Sequence, residues 1–241
     1  MSDYQVARKI MVQEQLHDAG IRDPYVLEAM REVPRHRFVP RLLRPRAYLP
    51  CALPIGYSQT ISQPFTVGLM TALLELEGHE KILEVGTGSG YQAAVLSRLA
   101  HTVLTVERIT ALAERARRIL GELACDNVEV YAADGNLGLP LAAPFDAIVV
   151  TASVQRLPEP LLTQLKDGGR LLVPLGDGPE QALFRYLKRG STASVERSVS
   201  CQFVPLQTGL EAGHRPAQDR SAGMPTPAAP ATPDSEQEAR A

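Results

Sequence analysis

One glycine turn constrains the fold of this chain more than any other feature of its sequence. Gly86-Thr87-Gly88-Ser89-Gly90 follows an apolar strand predicted over Lys81–Val85 and precedes a helix predicted over residues 91–99. Glycines at a strand-to-helix turn let a nucleotide-type ligand approach the backbone closely. The turn therefore predicts an α/β fold that binds a ligand at the carboxyl end of a parallel strand.

Short apolar segments alternate with helical patterns after Gly78. The predicted strands are Lys81–Val85, 102–106, Val128–Ala132, 147–150 and 170–175, and the predicted helices are 91–99, 110–123 and 158–165. This alternation is typical of a doubly wound, Rossmann-like sheet with helices on both faces. Three last segments, 183–188, 195–199 and 202–206, predict strands at an antiparallel edge, the first two joined by Arg189-Gly190-Ser191.

The first 78 residues predict helices followed by an irregular, proline-punctuated stretch. Apolar Val6, Ile10, Met11 and Leu16 indicate one helix, and Asp23-Pro24 begins a second that ends before Pro34. A polar turn over residues 56–64 then leads to a helix over residues 65–76, with Pro64 in its first turn. We expect residues 1–78 and 79–210 to form one domain.

The segment from residue 211 to residue 241 differs in composition. It contains no Val, Ile, Leu, Phe or Tyr, whereas Pro and Ala recur. Such a segment cannot bury enough apolar surface to offset its ordering entropy, so it is predicted to be disordered. Its charged residues account for the whole net charge of −2. The balanced remainder gives no overall field that would attract nucleic acid or an anionic membrane, and we expect neither as a partner.

The composition also narrows the class of protein. Hydrophobic residues make up 44% and charged residues 22%, as in globular proteins, and there is neither a long apolar run nor an apolar leader-type segment. We therefore expect a soluble, cytoplasmic protein, acting as a monomer. Cys51, Cys125 and Cys201 lie far apart, so neither a disulfide framework nor a metal site is indicated.

The spacing of the glycines favours one cofactor. In the dinucleotide-binding pattern the third glycine would stand at position 91, but Tyr91 occupies it and Gly90 comes one residue earlier. With the acidic Glu84 before the turn, this spacing favours S-adenosylmethionine over NAD. We therefore predict cofactor contacts at Glu84, Gly86, Thr87 and Gly88.

Acidic residues follow the next two predicted strands. Glu107 lies where a carboxylate can accept hydrogen bonds from both ribose hydroxyls. Asp134 can hold the adenine amino group, and Gly135 permits close approach. Taken singly, Glu107 fits a solvated glutamate and Asp134-Gly135 a plain turn. Their places at successive strand ends favour a cofactor pocket.

Several motifs together resemble the protein-L-isoaspartate O-methyltransferase family. They are Arg35-His36-Arg37-Phe38-Val39-Pro40, Ala52-Leu53-Pro54-Ile55-Gly56, Gln59-Thr60-Ile61-Ser62-Gln63-Pro64, Leu83-Glu84-Val85-Gly86-Thr87-Gly88-Ser89-Gly90-Tyr91-Gln92, Pro144-Phe145-Asp146-Ala147-Ile148 and Phe203-Val204-Pro205-Leu206. The resemblance spans residues 6–209. Many methyltransferases share the glycine turn, whereas Thr60-Ile61-Ser62-Gln63-Pro64 is specific to this family.

The resemblance implies a class I methyltransferase sheet and a repair reaction. A methyl group passes from S-adenosylmethionine, leaving S-adenosylhomocysteine, to the free carboxylate of L-isoaspartyl and D-aspartyl residues in damaged proteins and peptides. The ester then collapses to a succinimide that can reopen as normal aspartate. The resemblance therefore implies that isoaspartyl-containing proteins and peptides are the partners of this chain.

The resemblance also implies roles for individual residues. Ser62 matches the active-site hydroxyl of the family, and Gln59, Thr60, Ile61 and Ser62 match a loop that touches cofactor and substrate. Glu107, Asp134 and Gly135 match its ribose and adenine contacts. From the residues alone, Ser62 also fits an N-cap of the following helix. Thr151-Ala152-Ser153-Val154-Gln155 departs from the short Ala-Pro-rich run that is common in the family.

A carboxylate acceptor would need no catalytic histidine. The unperturbed pKa of a carboxyl group is about 3.9, so the nucleophile is already ionised at neutral pH and needs no general base. The histidines of this chain are scattered, which agrees with such a reaction. Two alternatives stay open: a methyltransferase for another acceptor, and a non-catalytic module that binds S-adenosylmethionine and a partner. The lack of an Asn/Asp-Pro-Pro-Tyr motif weighs against nucleic-acid amines as acceptors.

Overall fold

A computed structural model describes residues 3–178 and 180–211 and contains a two-stranded and a seven-stranded sheet. The strands are β1 Leu53–Gly56, β2 Gln59–Ile61, β3 Lys81–Val85, β4 Thr102–Glu107, β5 Val128–Ala132, β6 Phe145–Val150, β7 Leu165–Leu175, β8 Gln181–Arg189 and β9 Thr192–Cys201. The helices are α1 Asp3–Ile10, α2 Pro24–Glu32, α3 Pro64–Leu73, α4 Tyr91–Leu96, α5 Thr110–Glu122 and α6 Glu159–Thr163. A π-helical segment, Met11–His17, continues α1, and short 3₁₀ turns lie at Arg35–Arg37, Arg41–Arg46, Gly135–Leu137 and Pro140–Ala142.

The large sheet has the strand order β5-β4-β3-β6-β7-β8-β9. The first five of these strands run parallel, and β8 and β9 add an antiparallel edge. This arrangement confirms the predicted α/β sheet and its antiparallel edge. The chain leaves β3 for β4 on one side and later returns to β6 on the other. Such a reversal opens a crevice at the carboxyl ends of the strands.

Alternate side chains of β3 enter two different apolar clusters. Ile82 packs with residues of the N-terminal helices and of α3, α4 and α5, whereas Leu83 and Val85 pack with residues of β6, α6 and β7 on the opposite face. Burial on both faces explains why these strands read as continuous apolar runs. Met11 and Met30 belong to the same cluster as Ile82, so the N-terminal segment and the sheet share one core.

The strand predicted over residues 202–206 is wrong. After Cys201 the chain leaves the sheet edge, and two backbone hydrogen bonds hold it to Ser153: Ser153 N donates to Val204 O at 2.8 Å, and Leu206 N donates to Ser153 O at 2.7 Å. The segment therefore crosses the carboxyl ends of the strands. Its apolar alternation resembles that of an edge strand, but pairing with a residue about 50 positions away decides its course.

The irregular stretch predicted before α3 instead contains a β-hairpin. Strands β1 and β2 pair through the two-residue turn Tyr57-Ser58, in which both residues have a φ of 55°. Such turns need positive φ at both central positions, where Asn and Gly are the usual residues. Tyr57 and Ser58 therefore gave no sequence signal for a hairpin. Arg115 of α5 donates to Ile55 O at 2.8 Å and holds the hairpin against the main domain.

The described chain ends with a contact back to the sheet. Glu211 N donates to Arg108 O at 2.8 Å, and its carboxylate lies 2.7 Å from the Arg108 guanidinium. From residue 212 onward, the predicted disorder lies outside the described residues. No helix within residues 3–178 and 180–211 is long and apolar enough to cross a membrane.

Candidate active site

A cavity of about 860 Å³ lies in the crevice at the carboxyl ends of β3, β4, β5 and β6. Every predicted cofactor residue except Asp134 lines it: Gln59, Thr60, Ile61, Ser62, Glu84, Gly86, Thr87, Gly88, Glu107 and Gly135. These residues come from β2 and the residue that follows it, from β3 and the glycine turn after it, from β4, and from the turn after β5. The fold therefore brings together groups that lie up to 76 positions apart, from Gln59 to Gly135.

The glycine turn lies against β4 with its backbone open to the cavity. The N–H groups of Gly86 and Thr87 donate to Val106 O at 2.9 and 3.1 Å. Gly86 has a φ of 102°, and a Cβ at this position would overlap with the Thr151 hydroxyl. Only glycine adopts this positive φ without strain and leaves room for the Thr151 hydroxyl.

Glu107 is buried, and the backbone orients both of its carboxylate oxygens. Gly88 N donates to Oε2 at 2.8 Å and Ile109 N donates to Oε1 at 2.9 Å. Burial nevertheless raises the pKa of Glu107. Each oxygen keeps a further lone pair, so the carboxylate can accept from two neighbouring hydroxyl groups.

Glu84 lines the cavity, and a threonine pair holds one of its two carboxylate oxygens. Thr105 Oγ1 donates to Oε2 at 2.5 Å, and the Thr87 hydroxyl lies 2.6 Å from that of Thr105. Because the single Thr105 proton goes to Glu84, Thr87 must donate to Thr105. Among the described residues, Glu84 Oε1 has no hydrogen-bond partner although it is buried. Burial raises the pKa of Glu84 to about 8.

This orphaned oxygen tests whether the residues fit the predicted cofactor. A buried carboxylate oxygen without a partner is costly unless a ligand supplies a donor or a positive charge. The amino-acid part of S-adenosylmethionine carries an ammonium group of that kind. Together with the glycine turn and the two acceptor oxygens of Glu107, this oxygen fits the cofactor.

Asp134 lies beside the cavity rather than in its wall. Its Oδ1 accepts from Asn136 N at 3.0 Å, and its Oδ2 accepts from Gly209 N at 2.7 Å. Asp134 thereby ties the C-terminal segment to the end of β5. Gly135 does line the cavity, and a Cβ there would lie 2.6 Å from Val85 Cγ1. The contact of Asp134 with the adenine amino group stays a prediction.

Ser62 lies where the first cavity meets a second one of about 1000 Å³. Four residues line both cavities: Thr60, Ser62, Thr151 and Val204. The second cavity continues between α3 and the ends of β8 and β9, with Phe65, Leu69 and Leu183 in its wall. We call it the acceptor cavity, and the first one the cofactor cavity.

The hydroxyl of Ser62 makes no hydrogen bond within the part of the chain that the structure describes. Helix α3 begins at Pro64, and its N-cap is Gln63, without a side-chain cap. The alternative role of Ser62 as an N-cap is therefore not observed. An unpaired, half-buried hydroxyl at the junction of two cavities can donate to a ligand in either of them.

Sequence reasoning missed two parts of the cofactor cavity. One is the segment over residues 204–207, which forms part of the wall, whereas the sequence predicts a strand over residues 202–206. The other is Thr151, whose hydroxyl donates to Gly86 O at 2.5 Å. Thr151 directly follows β6, so the argument from strand ends that found Glu107 could also have found it.

Comparison with known proteins gives a consistent result. Residues 7–211 match the family described as protein-L-isoaspartate(D-aspartate) O-methyltransferase (PCMT). A protein-L-isoaspartate O-methyltransferase from Syntrophotalea carbinolica is 50% identical over 205 residues, or 85% of this chain and 94% of that protein. A protein-L-isoaspartate O-methyltransferase 1 from Syntrophobacter fumaroxidans is 57% identical over 183 residues, or 76% and 86% of the two chains. A solved structure named protein-L-isoaspartate O-methyltransferase has a TM-score of 0.75 and 29% identity, covering 84% of this chain and 67% of the other.

Proposed function

The chain belongs to the protein-L-isoaspartate(D-aspartate) O-methyltransferase family, and from that premise we propose which of its residues carry out the reaction of the family. It is an enzyme that transfers a methyl group from S-adenosylmethionine to the free carboxylate of L-isoaspartyl and D-aspartyl residues in damaged proteins and peptides. The methyl ester initiates repair through a succinimide. The assignment of the active site rests on the Ser62 hydroxyl, which lies between the two cavities and has no partner among the described residues.

In this proposal the cofactor cavity holds S-adenosylmethionine, which supplies a methyl group on a positively charged sulfur. Glu107 accepts hydrogen bonds from the ribose hydroxyls, and Glu84 Oε1 accepts from the ammonium group. The backbone of Gly86 and Gly88 lies against the cofactor, and Asp134 and Gly135 lie towards the adenine. The oxygen Oε1 of Glu84 supports this orientation, because it has no hydrogen-bond partner among the described residues and an ammonium group would supply a donor.

The substrate carboxylate enters from the acceptor cavity. Ser62 would donate a hydrogen bond to one carboxylate oxygen and leave the other free to form a bond to the methyl carbon. The bond between that carbon and the sulfur would break at the same time, and S-adenosylhomocysteine would leave. The adjacent N-terminus of α3, a helix of 10 residues, also favours an anion at this place. No general base is needed, because the carboxylate is ionised at neutral pH. Catalysis then consists mainly of aligning the attacking oxygen with the methyl group.

The proposal is tested with a matched pair of peptides. Purified protein and S-adenosylmethionine with a labelled methyl group are incubated with an isoaspartyl peptide or with its normal aspartyl twin. We expect label only in the isoaspartyl peptide, because the two differ in where the free carboxylate stands relative to the backbone. Equal labelling of both peptides would contradict the substrate assignment. Cofactor binding without any labelling would favour a non-catalytic module.

The cofactor site makes a separate prediction about pH. In the free protein Glu84 is protonated below its pKa of about 8, whereas a bound ammonium group favours the ionised form. Binding of S-adenosylhomocysteine should therefore release a proton, and its affinity should rise up to about tenfold per pH unit from about pH 6 to about pH 7.5. Throughout this pH range the amino group of the ligand stays protonated, because the pKa of an amino group is about 7.7–8.0.

Glu84→Gln provides the matched control, because it keeps the shape and removes the titration. Calorimetry in two buffers of different ionisation enthalpy should report about one proton more released by the parent protein than by the variant. Glu107 also has a raised pKa and faces the same cavity, but it is present in both proteins. Equal proton release by the two would contradict the placement of the ammonium at Glu84.

The remaining expectations rest on the sequence. We propose that residues 1–78 and 79–210 form one domain, which the shared apolar core supports. A monomeric state, a cytoplasmic location and the lack of a nucleic-acid partner stay predictions from composition and charge.

A further inference from the structure

Arg35 is a fully buried charged residue, and the reaction described above does not use it. It lies in the 3₁₀ turn Arg35–Arg37 that follows α2, and none of its side chain is exposed. Its Nε donates to Ala47 O at 2.8 Å and its Nη2 donates to Ser62 O at 2.6 Å. Its Nη1 is buried without a partner among the described residues.

Stability alone does not explain this guanidinium. Burying a charge is costly unless an opposite charge compensates it, and an apolar side chain of similar size often stabilises the fold more. Both acceptors of Arg35 are neutral carbonyl groups. Burial lowers the pKa of Arg35, but a guanidinium remains charged in proteins. A costly buried ion beside an active site is a candidate for a functional role.

The guanidinium of Arg35 contacts two residues that line the cofactor cavity, Ser62 and Tyr91. On one side it donates to the carbonyl of Ser62, a residue that lines both cavities. On the other side its guanidinium carbon lies 4.8 Å from the ring centroid of Tyr91. Tyr91 begins α4 directly after the glycine turn and lines the cofactor cavity. The hydroxyl of Tyr91 is anchored in turn on Met30 Sδ at 3.6 Å.

We propose that Arg35 is a positioning residue for methyl transfer, which holds Ser62 at a fixed place relative to the cofactor cavity through its hydrogen bond to the Ser62 carbonyl. The inference rests on the proposed role of Ser62. Alignment matters because a misplacement of about 1 Å can lower a rate about 100-fold. The planar fork suits this task, since it donates to two carbonyls in a fixed geometry that a lysine ammonium does not reproduce.

Arg35→Lys is the variant of choice, because it keeps the charge and removes the fork. We expect kcat for an isoaspartyl peptide to fall about 10- to 100-fold. The affinity for S-adenosylhomocysteine should stay nearly unchanged, since Arg35 does not line the cofactor cavity. If thermal unfolding shows that Arg35→Lys is not folded, Arg35→Gln provides the same comparison with a side chain that keeps amide donors.

A double-mutant cycle with Ser62→Ala separates positioning from a general loss of structure. If Arg35 acts through Ser62, Arg35→Lys should change kcat little further once the hydroxyl is gone. Arg170→Lys is the matched control. Arg170 is mostly buried and also donates to a main-chain carbonyl, Glu75 O at 2.6 Å. It lies beside the amino-terminal end of β6, at the opposite end of the strands from the cofactor cavity. Its substitution should leave kcat unchanged.

Each outcome decides the proposal. Three results would overturn the role of Arg35 and leave the proposed function intact. They are an unchanged kcat in Arg35→Lys, a loss of cofactor affinity that parallels the loss of kcat, and an equally large further loss of kcat when Arg35→Lys is added to Ser62→Ala. Lack of turnover by the parent protein in the same assay would overturn both. Loss of kcat alone, absent without the Ser62 hydroxyl, would support the proposal.

Discussion

Replacing Ser62 by alanine is expected to lower kcat for an isoaspartyl peptide about 10- to 100-fold and to leave the affinity for S-adenosylhomocysteine nearly unchanged. A hydrogen bond to a charged group contributes about 1.5–3 kcal/mol, and each 1.36 kcal/mol in the barrier corresponds to about tenfold in rate. The Ser62 hydroxyl has no partner within residues 3–178 and 180–211, so its removal leaves no other group unpaired.

Steady-state kinetics and calorimetry distinguish the possible roles of Ser62. Ser62→Thr is the matched control, because it keeps the hydroxyl and should retain more activity than Ser62→Ala. The Ser62 carbonyl, which accepts from Arg35, is present in all three proteins. If Ser62→Ala lost cofactor affinity rather than kcat, Ser62 would be mainly a cofactor contact. If neither quantity changed, the residue would have no part in the reaction.

Replacing Glu107 by alanine is expected to weaken binding of S-adenosylhomocysteine about 100-fold or more. Two hydrogen bonds from ribose hydroxyls to a carboxylate contribute about 1.5–3 kcal/mol each, and 1.4 kcal/mol corresponds to about tenfold in affinity. The substitution also removes the acceptor for Gly88 N and Ile109 N, which orients the glycine turn and the start of α5. Both effects act on the cofactor rather than on the acceptor.

Calorimetric titration of the folded variant with S-adenosylhomocysteine measures this loss. Glu129→Ala offers a control on the neighbouring strand β5, where the glutamate is exposed and contacts the Tyr131 hydroxyl. That variant should bind as the parent does. Unchanged affinity in Glu107→Ala would exclude Glu107 as a ribose contact. Glu107→Gln should give an intermediate value, since an amide offers one acceptor atom where the carboxylate offers two.

The cofactor side of the site follows from local sequence patterns. Glu84, Gly86, Glu107 and Gly135 all stand at the ends of parallel strands or one to three residues beyond, and parallel strands place their carboxyl ends along one edge. The apolar runs and the turns between them were enough to predict that topology. The same logic applied to β6 would have included Thr151.

The acceptor side was accessible only by resemblance to a family. The hairpin that carries Gln59 turns at two residues with positive φ, and neither is a glycine or an asparagine. The wall over residues 204–207 depends on pairing with Ser153. Neither feature has a local sequence signature, because each is decided by contacts with distant parts of the chain.

The sequence by itself determined the parallel sheet, the glycine turn and the choice of cofactor, because short-range backbone geometry and side-chain periodicity are encoded in consecutive residues. Only the tertiary structure decided which polar groups stay unpaired. Within the described part of the chain, one oxygen of Glu84 and the hydroxyl of Ser62 have no partner, and the guanidinium of Arg35 is buried. Each of these states depends on which donors and acceptors distant segments bring near. The pairing of these polar groups is therefore a property of the folded molecule, and it determines which groups can bind a ligand.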